Sequence, residues 1–159
     1  MLRTPWDFQK SIFKDYRPDT QNLLDECFEL DWSHTKCEKM IRGEGESQKV
    51  KALMKSVYVH LREGYKYYAG IQPLGRIPCL GPGTLTELFH RCPGFIDNKT
   101  IKLTDIDLAV IACNGGMRGA NWLNPEKALC RFQMIEVLVR LAQDKYLKTG
   151  VAKSCSEAV

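Results

Sequence analysis

Apolar residues recur along this chain at spacings of three and four, and no segment shows the strict alternation of a half-buried strand. Leu23, Leu24, Cys27 and Phe28 fall on one side of a helix that Asp19 or Thr20 caps and that runs to about Leu30. A second short helix follows Ser33, with Cys37, Met40 and Ile41 at helical spacing, and "RGEGES" breaks the chain. Ser47 then caps a long amphipathic helix in which Val50, Leu53, Met54, Val57, Tyr58, Leu61, Tyr65 and Tyr68 recur as far as about Tyr68. The four glycines and three prolines of "GIQPLGRIPCLGPG" end it.

Thr84 and Glu87 form a T-x-x-E capping box before Leu85, Leu88 and Phe89, which predicts a short helix closed by "RCPGF". Thr104 with Asp107, and Leu103 with Leu108 as a hydrophobic staple, open a helix through "DIDLAVIAC". After the loop "NGGMRGANW", Asn124 is a good N-cap and Pro125 suits the first helical position, so a last helix runs to about Lys148. Its stripe of Leu129, Phe132, Ile135, Val139 and Ala142 is joined by a second stripe of Met134, Leu138 and Leu141. A helix so broadly apolar is central to its core, and Trp122 and Leu123 pin the loop before it.

The pattern predicts an all-α protein. Residues 1–46 form an N-terminal arm and short helices packed on the body, residues 47–148 form two facing helix-loop-helix units, and residues 149–159 form a loose polar tail. Trp6, Phe8, Ile12, Phe13 and Tyr16 make the arm a candidate occupant of a cleft between the two units.

Composition changes this picture little. Of 159 residues 44% are hydrophobic and 26% charged, which is the range of a globular domain able to bury one core. The net charge is +4, but 23 basic and 19 acidic residues are interleaved, and this argues against a nucleic-acid partner. The densest basic run lies on the long helix, where Lys49, Lys51, Lys55, Arg62 and Lys66 make a candidate face for an acidic protein or filament surface. Seven scattered cysteines read as reduced thiols. The N-terminus lacks an uninterrupted apolar core and no window is long enough to cross a membrane, so the expectation is a soluble cytoplasmic chain.

Sharper chemistry finds little footing. Cys27, His34 and Cys37 lie close in sequence, as do Cys79, His90 and Cys92, but neither group has the paired C-x2-C spacing of a zinc site. No Cys-His signature accompanies the three histidines, and "NGGMRGANW" lacks the Lys-Ser/Thr ending of a phosphate loop. Asp105 and Asp107 diverge on a helix and sit in its first turn, where negative charge favours the dipole.

The order of long helix, Gly-containing loop, short helix, linker, short helix, Gly-rich loop and long helix, together with "GIQPLGRIPCL" and "WLNPEKALCRFQMIEVLVRLA", resembles a degenerate EF-hand pair over about residues 48 to 146. Gly75 and Ile77 stand where that family places its turn glycine and its pairing-strand residue, and the second segment is similar to the exiting helix of EF-hand-like proteins of the protist flagellar and ciliary cytoskeleton. A calcium loop needs oxygen ligands at positions 1, 3 and 5 and a bidentate Glu at 12. With Gly75 as position 6, those places fall to Gly70, Gln72, Leu74 and Gly81. With Glu126 as position 12, positions 1, 3 and 5 fall to Gly115, Met117 and Gly119, and Trp122 to position 8.

These residues predict no metal and no cofactor. The reading that follows is a non-enzymatic interaction or scaffold module with a cleft fixed in one state. The resemblance implies a cytoskeletal setting, in a cilium or flagellum, with a protein partner such as tubulin and no membrane. Two alternatives stand beside it: a calcium sensor with unconventional ligands at Asp97 and Asn98, and a small enzyme with a site around Cys79, His90 and Cys92.

Overall fold

The computed structural model describes residues 7–11, 14–15, 19–72, 74, 77–115 and 127–159, without the Phe8 side chain. Among them the chain is all-α, with eight α-helices, a 3-10 turn at Phe8–Lys10 and a π-helical turn at Gln143–Leu147. Of the arm residues expected to occupy a cleft, Trp6, Ile12, Phe13, Tyr16 and the Phe8 side chain lie outside this description.

Helix α1 (Gln21–His34) starts where Thr20 accepts a hydrogen bond from the Leu23 amide at 3.3 Å. It runs one turn beyond Leu30 because Phe28, Asp31 and Trp32 fall on one buried face. Helix α2 (Cys37–Met40) is a single turn. Gly43 and Gly45, with φ of 109° and 70°, then turn the chain into α3 (Glu46–Ser56). Left-handed Gly45 therefore caps α3, and Ser47 lies inside it.

The long helix expected from 47 to 68 is two helices. Val57, at φ −105° and ψ 4°, separates α3 from α4 (Tyr58–Ile71), and the Ser56 hydroxyl donates back to the Leu53 carbonyl at 2.7 Å, competing with the helical ladder. The break lets Val50, Met54 and Tyr58 join one core while Tyr65 and Ala69 join another.

Helix α5 (Pro82–His90) begins with Pro82 at its first position and Gly81 as N-cap, so Thr84 and Glu87 form no capping box. Thr84 is buried and donates to Gln72 Oε1 at 3.3 Å, while Glu87 pairs with Arg91. Gly81 leaves room for Leu74, since a Cβ there would stand 2.5 Å from Leu74 Cδ1 and the leucine would have to turn aside. Helix α6 (Leu103–Asn114) is capped by Asp105, which accepts from the Lys102 amide at 2.7 Å, and not by Thr104 with Asp107. Leu103 and Leu108 are exposed and make no staple.

The last long helix starts later than expected. Lys127 has a positive φ of 66° and Leu129 pairs with another loop, so α7 (Arg131–Ala142) opens after Cys130, whose amide donates to Gln133 Oε1 at 2.7 Å. Asn124 and Pro125, the expected cap, and the expected loop anchors Trp122 and Leu123 lie outside the described residues. A π-helical turn carries the rod on to Leu147. The tail is not loose: it forms α8 (Cys155–Ala158), with Cys155 and Ala158 buried and the Ser156 amide donating to Glu46 at 2.9 Å.

Helices α4 and α5 form one helix-loop-helix unit and α6 and α7 a second, and α4 also packs on α7 as α5 does on α6. Their loops meet in one antiparallel bridge, Leu80 N to Leu129 O at 2.9 Å and Leu129 N to Leu80 O at 2.8 Å. The sequence reading put these pairing positions at Ile77 and Trp122. Each unit also ties the end of its first helix to the third residue of its second, Gln72 to Thr84 and Asn114 to Gln133, the latter at 2.7 Å.

Helix α7 is the wall between two cores. Met134, Val137 and Leu141 face the core of the paired units, while Ile135 and Val139 face a second core with Phe28, Trp32, Val50 and Cys155. Asp31 binds Arg131 and accepts from the Tyr58 hydroxyl at 2.6 Å. Glu136 accepts from the Lys36 amide at 2.9 Å and from Arg140 at 2.8 Å. The Lys36 ammonium donates to the carbonyls of Ala112, Cys113 and Gly115, satisfying the open C-terminal end of α6.

Candidate interaction surface

The five basic residues singled out in the sequence are not a free cationic face. Lys51 pairs with Glu29 at 2.6 Å, and Lys55 with Glu29 at 3.4 Å and Asp25 at 3.7 Å, so these lysines of α3 close a seam against acids of α1. Lys49 pairs with Glu46 at 2.9 Å, Arg62 with Asp19 and Glu63, and Lys66 with Glu63 at 3.0 Å. The helices α1 and α3 put opposite charges at matching four-residue intervals, and the pairs neutralise each other.

Among the described residues, an exposed apolar surface lies on α6. Its inner residues Ile106, Ala109, Val110 and Cys113 are buried, and its outer stripe holds Leu108 and Ile111 at 63% and 61% exposure. Such exposure of two large apolar side chains one helical turn apart makes a ridge. On one flank lies a cleft of about 350 Å³, lined by Asp105, Leu108, Ala112 and Met40 of α2, with Arg140 and Asp144 on its far wall. On the other lies a cleft of about 380 Å³ lined by Pro82, Asp107, Val110, Ile111 and Lys127.

Charge on this ridge is arranged in a definite way. Arg140 is held by Glu136 and Lys148 by Asp144. Asp105 and Asp107 have no ion pair among the described residues; one oxygen of Asp105 is engaged by the Lys102 amide, while Asp107 is exposed beside Leu108. Sequence reasoning used Leu108 only as a staple residue and missed the ridge. The available signal was a twelve-residue helix apolar on nearly every side, which one neighbouring core does not cover.

The other chemistry-bearing residues are placed as follows. Asp97 is ringed by donors: the Thr100 hydroxyl, the amides of Lys99, Thr100 and Ile101, and the Lys145 ammonium at 3.0 Å. These bonds, the Thr100 hydroxyl and Ile101 amide first, hold its carboxyl well below the usual range. Lys145 is buried and also donates to the Gly94 and Phe95 carbonyls, so a cation already fills the place beside Asp97 where a calcium ion would compete. Cys79 is fully buried with its thiol donating to the Leu74 carbonyl at 2.9 Å, while His90 and Cys92 are exposed. His34 sits beside Phe132 with Nδ1 2.7 Å from the Leu30 carbonyl, and Cys37 is buried in the second core. Burial pushes the Cys37 and Cys113 thiols up to about 12. No group of three His, Cys, Asp or Glu side chains among the described residues is arranged to hold a metal ion.

Of the residues named for the last helix, Ile135 and Val139 are fully buried, Phe132 and Leu138 are half-buried, and Leu129 precedes the helix in the loop bridge. No described helix is long and apolar enough to cross a membrane. Compared with protein-family models, curated proteins and solved structures, the chain finds no match.

Proposed function

We propose that this chain is a non-enzymatic protein-interaction module built as a degenerate EF-hand-like pair, and that its docking surface is the outer ridge of α6. The observation that carries the reading is the exposure of Leu108 and Ile111 between two clefts, on a helix whose opposite side is locked into the core. The occupant it fits is an amphipathic helix of a protein partner, with an apolar stripe for the ridge and Lys or Arg beside it for Asp105 and Asp107.

The likeness to an EF-hand pair is supported by the two helix-loop-helix units, their crossed packing and the antiparallel bridge between described residues of their loops. Counting from that bridge as position 8, in place of the turn glycine, position 12 falls to Thr84 and Gln133. A bidentate carboxylate is needed there for calcium, and neither side chain supplies one. The non-enzymatic reading is supported by the Cys37 and Cys113 thiols, which burial pushes up to about 12. A setting in the ciliary or flagellar cytoskeleton remains part of the proposal, with a changed contact. The lysines that would meet an acidic tubulin surface are paired within the chain, so a basic helix of a filament-associated protein replaces tubulin as the partner.

Photo-crosslinking tests this. With benzoylphenylalanine at position 108 in cells, discrete adducts are expected whose partner peptide is basic and amphipathic, and Ile111→Glu should lower their yield by about tenfold. Adducts arising from position 66 on α4, with none from 108, would overturn the reading.

A further inference from the structure

The bridge between the two loops brings a pair of cysteines into register. Leu80 and Leu129 exchange both of their backbone hydrogen bonds, so they are a hydrogen-bonded antiparallel pair. Their neighbours Cys79 and Cys130 then occupy the adjoining non-hydrogen-bonded position, one from each unit. Residues so opposed stand with Cα atoms about 4.5 Å apart, within the roughly 4.4–6.8 Å that a disulfide spans. Both are free thiols, each is felt electrostatically by Tyr65, and the charge of one raises the other.

We infer that Cys79 and Cys130 are a redox-modifiable site, a dithiol that closes reversibly to a disulfide across the loop bridge and staples the two helix-loop-helix units together. The oxidant is a small-molecule disulfide of the glutathione class. Cys130 is half-buried where Cys79 is fully buried, and it is the N-cap of α7, whose N-terminal amides favour negative charge, so its thiolate is the attacking group. It attacks one sulfur of the small disulfide, forming a mixed disulfide and releasing one thiolate that takes up a proton. Cys79, shielded from solvent, needs no access of its own: its thiolate attacks the Cys130 sulfur, forming the Cys79–Cys130 bond and releasing the second small thiol. Two protein thiols are oxidised, one small disulfide is reduced to two thiols, and the two protons leave with them. Burial pushes both protein thiols up, so the exchange is run at mildly alkaline pH.

The consequence is mechanical. The staple closes a chain segment of about fifty residues, which removes much freedom from the unfolded chain. It also fixes the spacing between the N-termini of α5 and α7, and with it the relation of the two units. None of the other cysteines has a counterpart on a paired segment.

The test is peptide mapping of the intact protein after incubation with oxidised glutathione, alkylation and trypsin cleavage without reductant. The peptides 77–91 and 128–131 each carry one cysteine, so the expected product is their disulfide-linked pair. The melting temperature should rise by about 5–10 °C and fall back on reduction, and Cys130→Ser should abolish both the link and the rise. A mixed disulfide alone at Cys130, a link between Cys37 and Cys155 in place of the proposed one, or a rise that survives in Cys130→Ser would each overturn the inference. The mapping of the natural sequence needs no variant to fold.

Discussion

At the scale of single residues, the polar groups of this protein are spent on holding the chain to itself. Glu46 is the clearest case. It opens α3, its carboxylate accepts the Ser156 amide, and Lys49 lies 2.9 Å away. The Ser156 hydrogen bond first, then Lys49, hold its carboxyl down at about 2, from an ordinary 4.5. A carboxyl lowered on folding lends stability that is whole above about pH 4.5 and is lost as the pH falls through about 2. The docking of α8 should therefore loosen across that window. Amide protection at Ser156, the exchange rate relative to that of the unstructured chain at the same pH, is the measurement: it should fall from pH 4.5 to pH 2 in the natural protein, while Glu46→Gln should be less protected at pH 6 and show a flatter profile. Equal protection at Ser156 at both ends of the window would remove Glu46 as the clasp.

At the scale of elements, the seam between α1 and α3 shows what charge spacing does. Asp25 and Glu29 stand four apart on α1, Lys51 and Lys55 four apart on α3, so the helices meet with two acids facing two lysines. Exposed pairs each contribute about 0.2–1 kcal/mol. Reversing both lysines turns two attractions into repulsions, and Lys51→Glu with Lys55→Glu should lower stability by about 1–2 kcal/mol in a urea titration. Adding Asp25→Lys and Glu29→Lys should restore most of it. If the lysine pair is reversed without loss of stability, the seam is ornamental and the five basic residues return as a candidate outer face.

The same scale shows what the sequence could disclose. Three-four spacing made α4 and α7 legible, because Tyr65, Ile135 and Val139 are buried by the periodicity itself. It could not disclose the break at Val57, which continues the stripe three residues after Met54 and is still 42% exposed. Local capping signals misled where a stronger constraint stood nearby. Pro82 starts α5 before Thr84 can cap it, and the Leu80–Leu129 bridge holds residue 129 extended, so helix cannot begin before Arg131. The ridge on α6 was hidden for a different reason: Leu108 and Ile111 look like core until the packing of α5 and α7 shows which side of α6 is already taken.

For the whole molecule, the two cores share one wall, and that decides how the chain unfolds. The division at residue 46 follows the sequence but cuts through the contacts that α7 makes on its second-core face. Without residues 1–46, Ile135 and Val139 lose Phe28, Trp32 and Cys37, and Arg131 loses Asp31, its buried carboxylate partner. Removing one member of a fully buried ion pair typically costs about 3–5 kcal/mol; Arg131 keeps 31% of its side chain in solvent and loses less, and an uncovered apolar wall adds to the cost. Marginal stability of about 5–15 kcal/mol leaves little after both losses. The full chain is therefore expected to unfold in one transition, with near-ultraviolet and far-ultraviolet circular dichroism coinciding in urea. A fragment of residues 47–148 is expected to keep helical far-ultraviolet signal and lose the near-ultraviolet signal of fixed aromatic side chains. Should that fragment instead unfold cooperatively with its aromatic signal intact, α3 and the paired units would stand alone, and α1, α2 and α8 would be attachments to a finished domain in place of half its core.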